Sequence, residues 1–303
     1  VAVDVDVTFL RAAPAAPIVR RFVVQPRSRL TLWVDTLEPE LAAAEVAAVL
    51  RTVGPLPIVV ERAMYAHDGS GRFGAAGHRA AGVAQPATTW HLAEGYVGGP
   101  FDTYLLIANA EASPADVTID VAGDAGVVHT EHHVVPGGTR FTRYAGSMPV
   151  GGPVAFTVRS TNTVPVVVER AMWWRGAGAD WIESHASAGA AAGAMRWGLS
   201  GLVAGGPAQA STYLLVQNLD TSATTVSIAV YAPDGAVVTR TYAVAGSSRL
   251  TVDVGADFPA SAGGVSSAIV HAATPIVVEA SSYSNADGVT WSAGTNVRGT
   301  PLP

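Results

Sequence analysis

Short runs of alternating apolar and polar residues, broken by glycine, proline and aspartate, fill most of this 303-residue chain. Such alternation places successive side chains on opposite faces of a strand, one toward a core and one toward solvent. In the middle of the chain the pattern predicts strands over residues 103–109, 116–121, 127–135, 139–144, 154–159 and 165–173. Turns are predicted at Gly123-Asp124, Pro136-Gly137-Gly138, Gly151-Gly152-Pro153 and Pro233-Asp234-Gly235, where residue types that tolerate tight backbone bends cluster. One stretch conflicts with the strand pattern: residues 40–50 read as a helix by propensity.

The pattern repeats. Pro57-Ile58-Val59-Val60-Glu61-Arg62-Ala63-Met64 returns as Pro165-Val166-Val167-Val168-Glu169-Arg170-Ala171-Met172, and in part as Pro275-Ile276-Val277-Val278-Glu279-Ala280. Arg29-Leu30-Thr31 is matched by Arg140-Phe141-Thr142 and Arg249-Leu250-Thr251. Thr103-Tyr104-Leu105-Leu106 with Asn109 is matched by Thr212-Tyr213-Leu214-Leu215 with Asn218. Trp90 and Trp197, and His78 and His185, are weaker matches. The spacing of about 110 residues is the length of one β-sandwich domain. The expected fold is therefore all-β: tandem Ig-like sandwich repeats over 1–89, 90–196 and 197–303. The repeat register also puts residues 46–51 on the strand predicted at 154–159, so tertiary context is expected to override helical propensity there. At most a helical turn is expected near residues 39–43.

The first copy lacks the counterpart of residues 90–113, and Pro303 falls about where another Trp would begin. Both ends sit where a piece cut from a longer array would start and stop. A sandwich missing an early strand would expose a sheet edge, expected beside residues 3–10, that another chain could fill.

Composition narrows the function classes. There is no lysine and no cysteine, and the net charge is −6. The arginines are scattered, so no clustered positive surface for nucleic acid is expected. Disulfides, cysteine-based metal sites and a cysteine nucleophile are excluded. No apolar run reaches the ~18 residues of a membrane-spanning helix. No signal-peptide pattern is present and the first residue is Val, which reads as a processed chain or a fragment.

The landmarks resemble a family of repeats of unknown function in bacterial exported and cell-surface proteins. Its pattern runs Trp-aromatic-x-Ala-Glu-Gly, Thr-Tyr-Leu-Leu-x-x-Asn, then Pro-Val-Val-x-Glu-Arg-x-Met-Tyr and a Gly-rich His loop. Trp90-His91-Leu92-Ala93-Glu94-Gly95 fits the first element. The last copy departs from it, with Trp197-Gly198-Leu199-Ser200-Gly201, with Ala280-Ser281-Ser282 in place of Arg-Ala-Met, and without the loop His. The resemblance implies an extracellular or cell-surface location and a structural or adhesive role. It carries no catalytic residues.

Candidate chemistry is sparse. Glu61, Glu169 and Glu279 end Val-rich strands, and Arg29, Arg140 and Arg249 begin others, so each copy is expected to hold its own structural Arg–Glu pair. His129, Glu131 and His133 alternate on one strand face and have the spacing of metal ligands, but the last copy has none there. They are expected to form an exposed polar face. His78 and His185 are expected to order Gly-rich loops. Asp4, Asp6, Asp116, Asp120 and Asp124 lack any calcium-loop spacing. Trp173, Trp174 and Trp181 are the densest aromatic group, expected to pack between successive repeats, with a partner surface or sugar stacking as the alternatives. Trp90 and Trp197 are placed at the repeat junctions. The expected function is a non-enzymatic structural or adhesive repeat protein of the bacterial exterior, in a filament or surface assembly. Its expected partners are other subunits or neighbouring repeats, and it needs no cofactor and no metal. The alternative is a carbohydrate-binding region of a larger secreted protein, with cell-surface glycans as partner.

Overall fold

The computed structural model describes residues 1–67, 73–175 and 181–303. Strands begin with β1 (Val3–Arg11), β2 (Ile18–Val24) and β3 (Val46–Thr52), which form an antiparallel sheet of order β2-β1-β3. β4 (Glu61–His67) and β5 (Phe73–Ala81) pair with each other. Next come β6 (Thr89–Leu92), β7 (Tyr96–Val97), β8 (Phe101–Asn109), β9 (Ala115–Gly123) and β10 (Gly126–Val135). They are followed by β11 (Thr139–Tyr144), β12 (Gly152–Pro153), β13 (Ala155–Ser160), β14 (Val167–Arg175) and β15 (Trp181–Ala188). The last group is β16 (Ala194–Val203), β17 (Ser211–Asn218), β18 (Thr224–Tyr231) and β19 (Val237–Val244). It continues with β20 (Arg249–Asp253), β21 (Val265–Ser284), β22 (Ala293–Arg298) and β23 (Thr300–Pro301).

The central segment folds into two four-stranded antiparallel sheets, β10-β9-β13-β6 and β11-β8-β14-β15. Leu92, Ile119 and Phe156 from the first sheet and Leu105, Ile107 and Val168 from the second lie in one buried cluster. The architecture is β-sandwich-like, as alternating apolar positions on both sheets require. The last segment repeats it. The long β21 serves both layers: its first half pairs with β16 and β18, its second half with β17 and β22.

Two landmark residues act where strands cross between layers. Asn109 Nδ2 donates to the carbonyls of Ser113 and Val135, both at 2.9 Å, and its Oδ1 accepts from the Glu111 amide at 3.0 Å. Asn218 does the same with Ser222, Ala245 and Asp220. Both amides are buried, and each satisfies backbone groups that no strand partner reaches. Thr103 and Thr212 donate their hydroxyls to the carbonyls of Tyr96 and Val203. This is why Thr and Asn bracket the recurring Tyr-Leu-Leu. The crossing chain passes so close to the next turn that Gly137 and Gly246 have no room for a side chain. A Cβ there would meet the Ala112 oxygen at 2.1 Å and the Thr221 oxygen at 1.8 Å.

The first segment is different. Residues 40–50 are not a helix; turns span 39–43 and β3 follows. β1 is not a sheet edge, because β2 and β3 pair with it on both sides. Among the described residues no strand corresponding to β8 stands between residues 29–33 and β4, and residues 25–33 form no strand. Leu32, Leu41 and Ile58 instead fold over the β1 sheet.

Substituting Gly246→Ala is expected to destabilise the protein by about 1–3 kcal/mol through overpacking at this crossing. Gly151→Ala, with nothing within 4 Å of the added carbon, is expected to stay within about 0.5 kcal/mol. Urea unfolding of both variants checks the pair.

Candidate functional site

The densest polar chemistry is buried between the central and last segments. Strand alternation sends Glu169 and Arg170 to opposite faces of β14. Arg170 is 0% exposed and lies among residues from both segments. Its Nη1 donates to Glu279 Oε2 at 2.9 Å and to the Glu94 carbonyl at 2.8 Å, and its Nη2 donates to Ser187 Oγ at 2.8 Å. The Glu94 carboxylate is 2.7 Å from Nη2. Glu279 Oε1 accepts from the Ala93 amide at 2.9 Å. Ser281 Oγ and Tyr283 OH donate to Glu94 Oε1. His185 Nε2 lies 3.2 Å from the Tyr283 hydroxyl and 3.5 Å from Glu94. Two carboxylates thus share one guanidinium, whose planar fork divides the acceptors between two nitrogens where an ammonium would offer a single centre.

Burial raises the Glu94 carboxyl pKa, but His185, Arg170, Ser281 and Tyr283 outweigh it and hold it below its ordinary value. Burial pushes His185 down to about 4, so the imidazole is neutral at pH 7 and Arg170 and the hydroxyls hold the carboxylate. Burial and the Glu94 charge push the Tyr283 phenol well above its ordinary value.

A smaller version joins the first and central segments. Glu169 Oε2 is 2.9 Å from Arg62 Nη1. Gly77 N donates to Glu183, and His78 Nδ1 is 3.0 Å from Ser184 Oγ. Burial, with Arg62 and His185 adding to it, lowers His78 to about 3. Both His78 and His185 therefore sit on strands β5 and β15 facing a junction, not in Gly-rich loops.

The predicted Arg–Glu pairs are replaced by others. Glu169 meets Arg62 and Glu279 meets Arg170, each an Arg of the preceding segment. Arg140 reaches Glu45 at 2.8 Å, and Arg249 lies 3.5 Å from Asp124, again across segments. Arg29 is exposed outside the strands, and Glu61 has Arg79 at 3.9 Å on an exposed surface. The reason is topological. β8 lies between β11 and β14, so Arg140 and Glu169 sit two strand spacings apart, about 10 Å. Sequence reading found the recurring charges but missed Glu94 and the forward-facing Arg62 and Arg170. The Glu-Arg dipeptide was the available signal, because adjacent strand residues must face different neighbours.

The aromatic residues divide likewise. Trp173 faces the first segment, edge-on to His78 at 5.4 Å. Trp174 is fully buried against Tyr283 of the last segment and donates Nε1–H to the Trp291 carbonyl at 2.8 Å. Trp181 is half-buried, tilted 34° to Trp173, and donates to Asp102. Trp90 and Trp197 are not the junction rings. Each is buried within its own core and donates to a carbonyl of its own segment, Val166 or Ile276, at 2.8 Å.

On β10, Glu131 is gripped by His129, His133 and Arg143. Arg143, followed by the two imidazoles, holds its carboxyl down at about 2. These side chains are partly buried and bound to one another. Among the described residues no group of three or more His, Asp or Glu is arranged around a metal-sized space, and no helix is long and apolar enough to cross a membrane.

No family model and no curated protein matches the chain. Among solved structures, Thermotoga maritima 1070 is similar over 35% of this chain and 95% of its own, at 16% identity and TM-score 0.32. The Anabaena sensory rhodopsin transducer is similar over 29% and 91%, at 25% identity and TM-score 0.25. A tetra-tandem repeat from the extending region of a large adhesion protein is similar over 99% and 67%, at 11% identity and TM-score 0.14. At these TM-scores none carries an argument.

Arg170→Ala leaves two buried carboxylates without their cation and is expected to cost about 3–5 kcal/mol in urea unfolding. Arg170→Lys is expected to restore less than half of that loss, because one ammonium cannot reproduce the fork. For pH, the sign follows from His185. Its folded pKa is about 4 against 6.5 unfolded, so the unfolded chain binds the extra proton. Stability is expected to fall as pH drops from about 6.5 toward about 4. His185→Gln should flatten that slope in thermal denaturation; an unchanged slope would contradict the assignment.

Proposed function

We propose that this chain is a structural and adhesive protein of the bacterial cell exterior, built from tandem Ig-like sandwich repeats of about 110 residues. The units span 1–89, 90–196 and 197–303. The observation that carries this reading is the buried Arg170–Glu94–Glu279 cluster between consecutive units. Burying it demands a fixed alignment of the two units, since any slip leaves charges unpaired in an apolar setting. Trp174, Tyr283 and Trp291 fill the space beside these contacts. Repeat arrays need such nearest-neighbour interfaces to act as one body.

A chain that holds its units in one alignment serves as a spacer or as a subunit of a surface filament. Its extracellular setting follows from the family resemblance and agrees with a framework that uses no cysteine. The carbohydrate-binding reading gains no support from the aromatic group, because Trp173 and Trp174 are turned into the junctions.

Brief protease treatment of intact source cells, followed by mass spectrometry of the released peptides, tests the location. Release of peptides from this chain is expected without lysis. Their appearance only after lysis would remove the surface role. Negative-stain microscopy of the purified chain is expected to show particles of one constant outline, whereas particles bent variably at the junctions would remove the spacer role.

A further inference from the structure

The face where the central and last units meet holds a second polar group, apart from the charge cluster. Thr157 lies on β13 directly opposite His91 of β6. Gln217 lies on β17 directly opposite Arg249 of β20. Opposed strand residues share a face, with Cβ atoms about 4.5–5.5 Å apart. The two pairs meet across the junction. Gln217 Nε2 donates to Thr157 Oγ1 at 3.0 Å, and His91 Nδ1 lies 3.1 Å from the same oxygen. The amide nitrogen also lies 3.5 Å from the Phe156 carbonyl. Thr157 is 8% exposed and Gln217 3%. Gln217 Oε1 is buried without a hydrogen-bond partner among the described residues, and so is Arg249 Nε. Arg249 Nη1 reaches Asp124 at 3.5 Å. Buried groups left unsatisfied in this way cost free energy that a purely packed junction would avoid. The repeat does not require them. Register puts Val49 where Thr157 stands and Ala108 where Gln217 stands, although Arg140 matches Arg249.

We propose that Thr157 and Gln217 join in an ester bond that ties the last unit covalently to the central one. The hydroxyl oxygen already touches the amide nitrogen, one bond from the carbon it must attack. A turn of the amide about its Cγ–Cδ bond brings Cδ over Oγ1, and holding the two groups together removes the need for an encounter. His91 is the base. Burial, with Arg159 adding to it, lowers its pKa to about 4, so the imidazole is neutral at pH 7 and can accept the hydroxyl proton. An imidazolium destabilised to this degree gives the proton on readily to the departing nitrogen. The negative charge that develops on Oε1 lies on the face that carries the buried Arg249 guanidinium, which favours it. In the reaction Oγ1 bonds to Cδ and the Cδ–Nε2 bond breaks. The hydroxyl proton passes through His91 to Nε2, which leaves as ammonia. Nothing is oxidised or reduced and no co-reactant is consumed. Ammonia escapes into dilute solution, which draws the exchange forward. The two residues are 60 positions apart, so the ester would constrain this chain as a disulfide does elsewhere, in a sequence with no cysteine. It would also hold the junction under pulling, where ion pairs break and re-form. The bond needs the junction geometry alone and not the cellular location proposed above.

Mass spectrometry of the full chain under denaturing conditions tests the bond. A mass lower than that of the sequence by one ammonia, about 17 Da, is expected. Proteolysis is expected to yield a branched peptide joining the segments that hold Thr157 and Gln217. Mild alkaline hydroxylamine, which cleaves esters and spares amides, is expected to split it. Thr157→Ser keeps a hydroxyl and is expected to keep the loss, whereas Thr157→Val, of similar shape, is expected to show the full sequence mass. His91→Phe is expected to slow closure at least about hundredfold, so that freshly made chain carries the full mass. Closure as fast as in the wild type would remove His91 from the chemistry. A folded wild-type chain that keeps its full sequence mass on prolonged incubation would overturn the proposal. So would an ammonia loss that survives Thr157→Val, for it would then arise elsewhere. The wild-type mass and its branched peptide decide the matter even where a variant does not fold. Neither result would touch the surface reading, which the cell-surface and microscopy measurements decide separately.

Discussion

The structure depends on one guanidinium placed where water does not reach. Arg170 is held by a carboxylate from each side of a junction and by a carbonyl and a hydroxyl of its own unit. Moving these charges out of water costs several kcal/mol per ion, so the cluster is not a simple source of stability. What it enforces is register. The last segment must present Glu279, Ser281 and Tyr283 in one position for every charge to find its partner. The aromatic rings around it then close on a geometry already fixed.

The same arrangement gives the stack a direction. On β14, Glu169 reaches back to Arg62 and Arg170 reaches forward to Glu279. A dipeptide of opposite charges on a strand is thus a connector with two unlike ends. Heterologous contacts of this kind continue as long as each unit carries both charges. Glu61 keeps the backward-facing charge of the first segment, while in the last segment Ala280 and Gly201 stand where Arg170 and Glu94 stand in the central one.

Much of the fold was legible in the sequence. The strand pattern from 103 to 173 appears as β8 to β14 with shifts of a few residues. The register of the repeat correctly favoured a strand at 46–51 over a helix. The edge strands β6 and β15 were harder to see. β6 is short, and β15 carries its polar residues on a face that a neighbouring segment buries, so its pattern does not alternate between core and solvent. Trp90 and Trp197 recur as a junction residue would, yet they recur because each unit closes its own core with the same ring and the same hydrogen bond.

The sequence by itself determined the strands, their order and the residues that each unit must keep. Those features rest on alternation, on turn chemistry and on buried Asn and Thr groups that satisfy nearby backbone. Charge pairing was decided by the tertiary structure alone. Alternation tells which face a side chain takes, but not which strand or unit covers that face. The intervening β8 separates each unit's own Arg and Glu, and the neighbouring unit brings the partner within 3 Å. Electrostatic pairing acts over that short distance, so it follows assembly in space and not position along the chain.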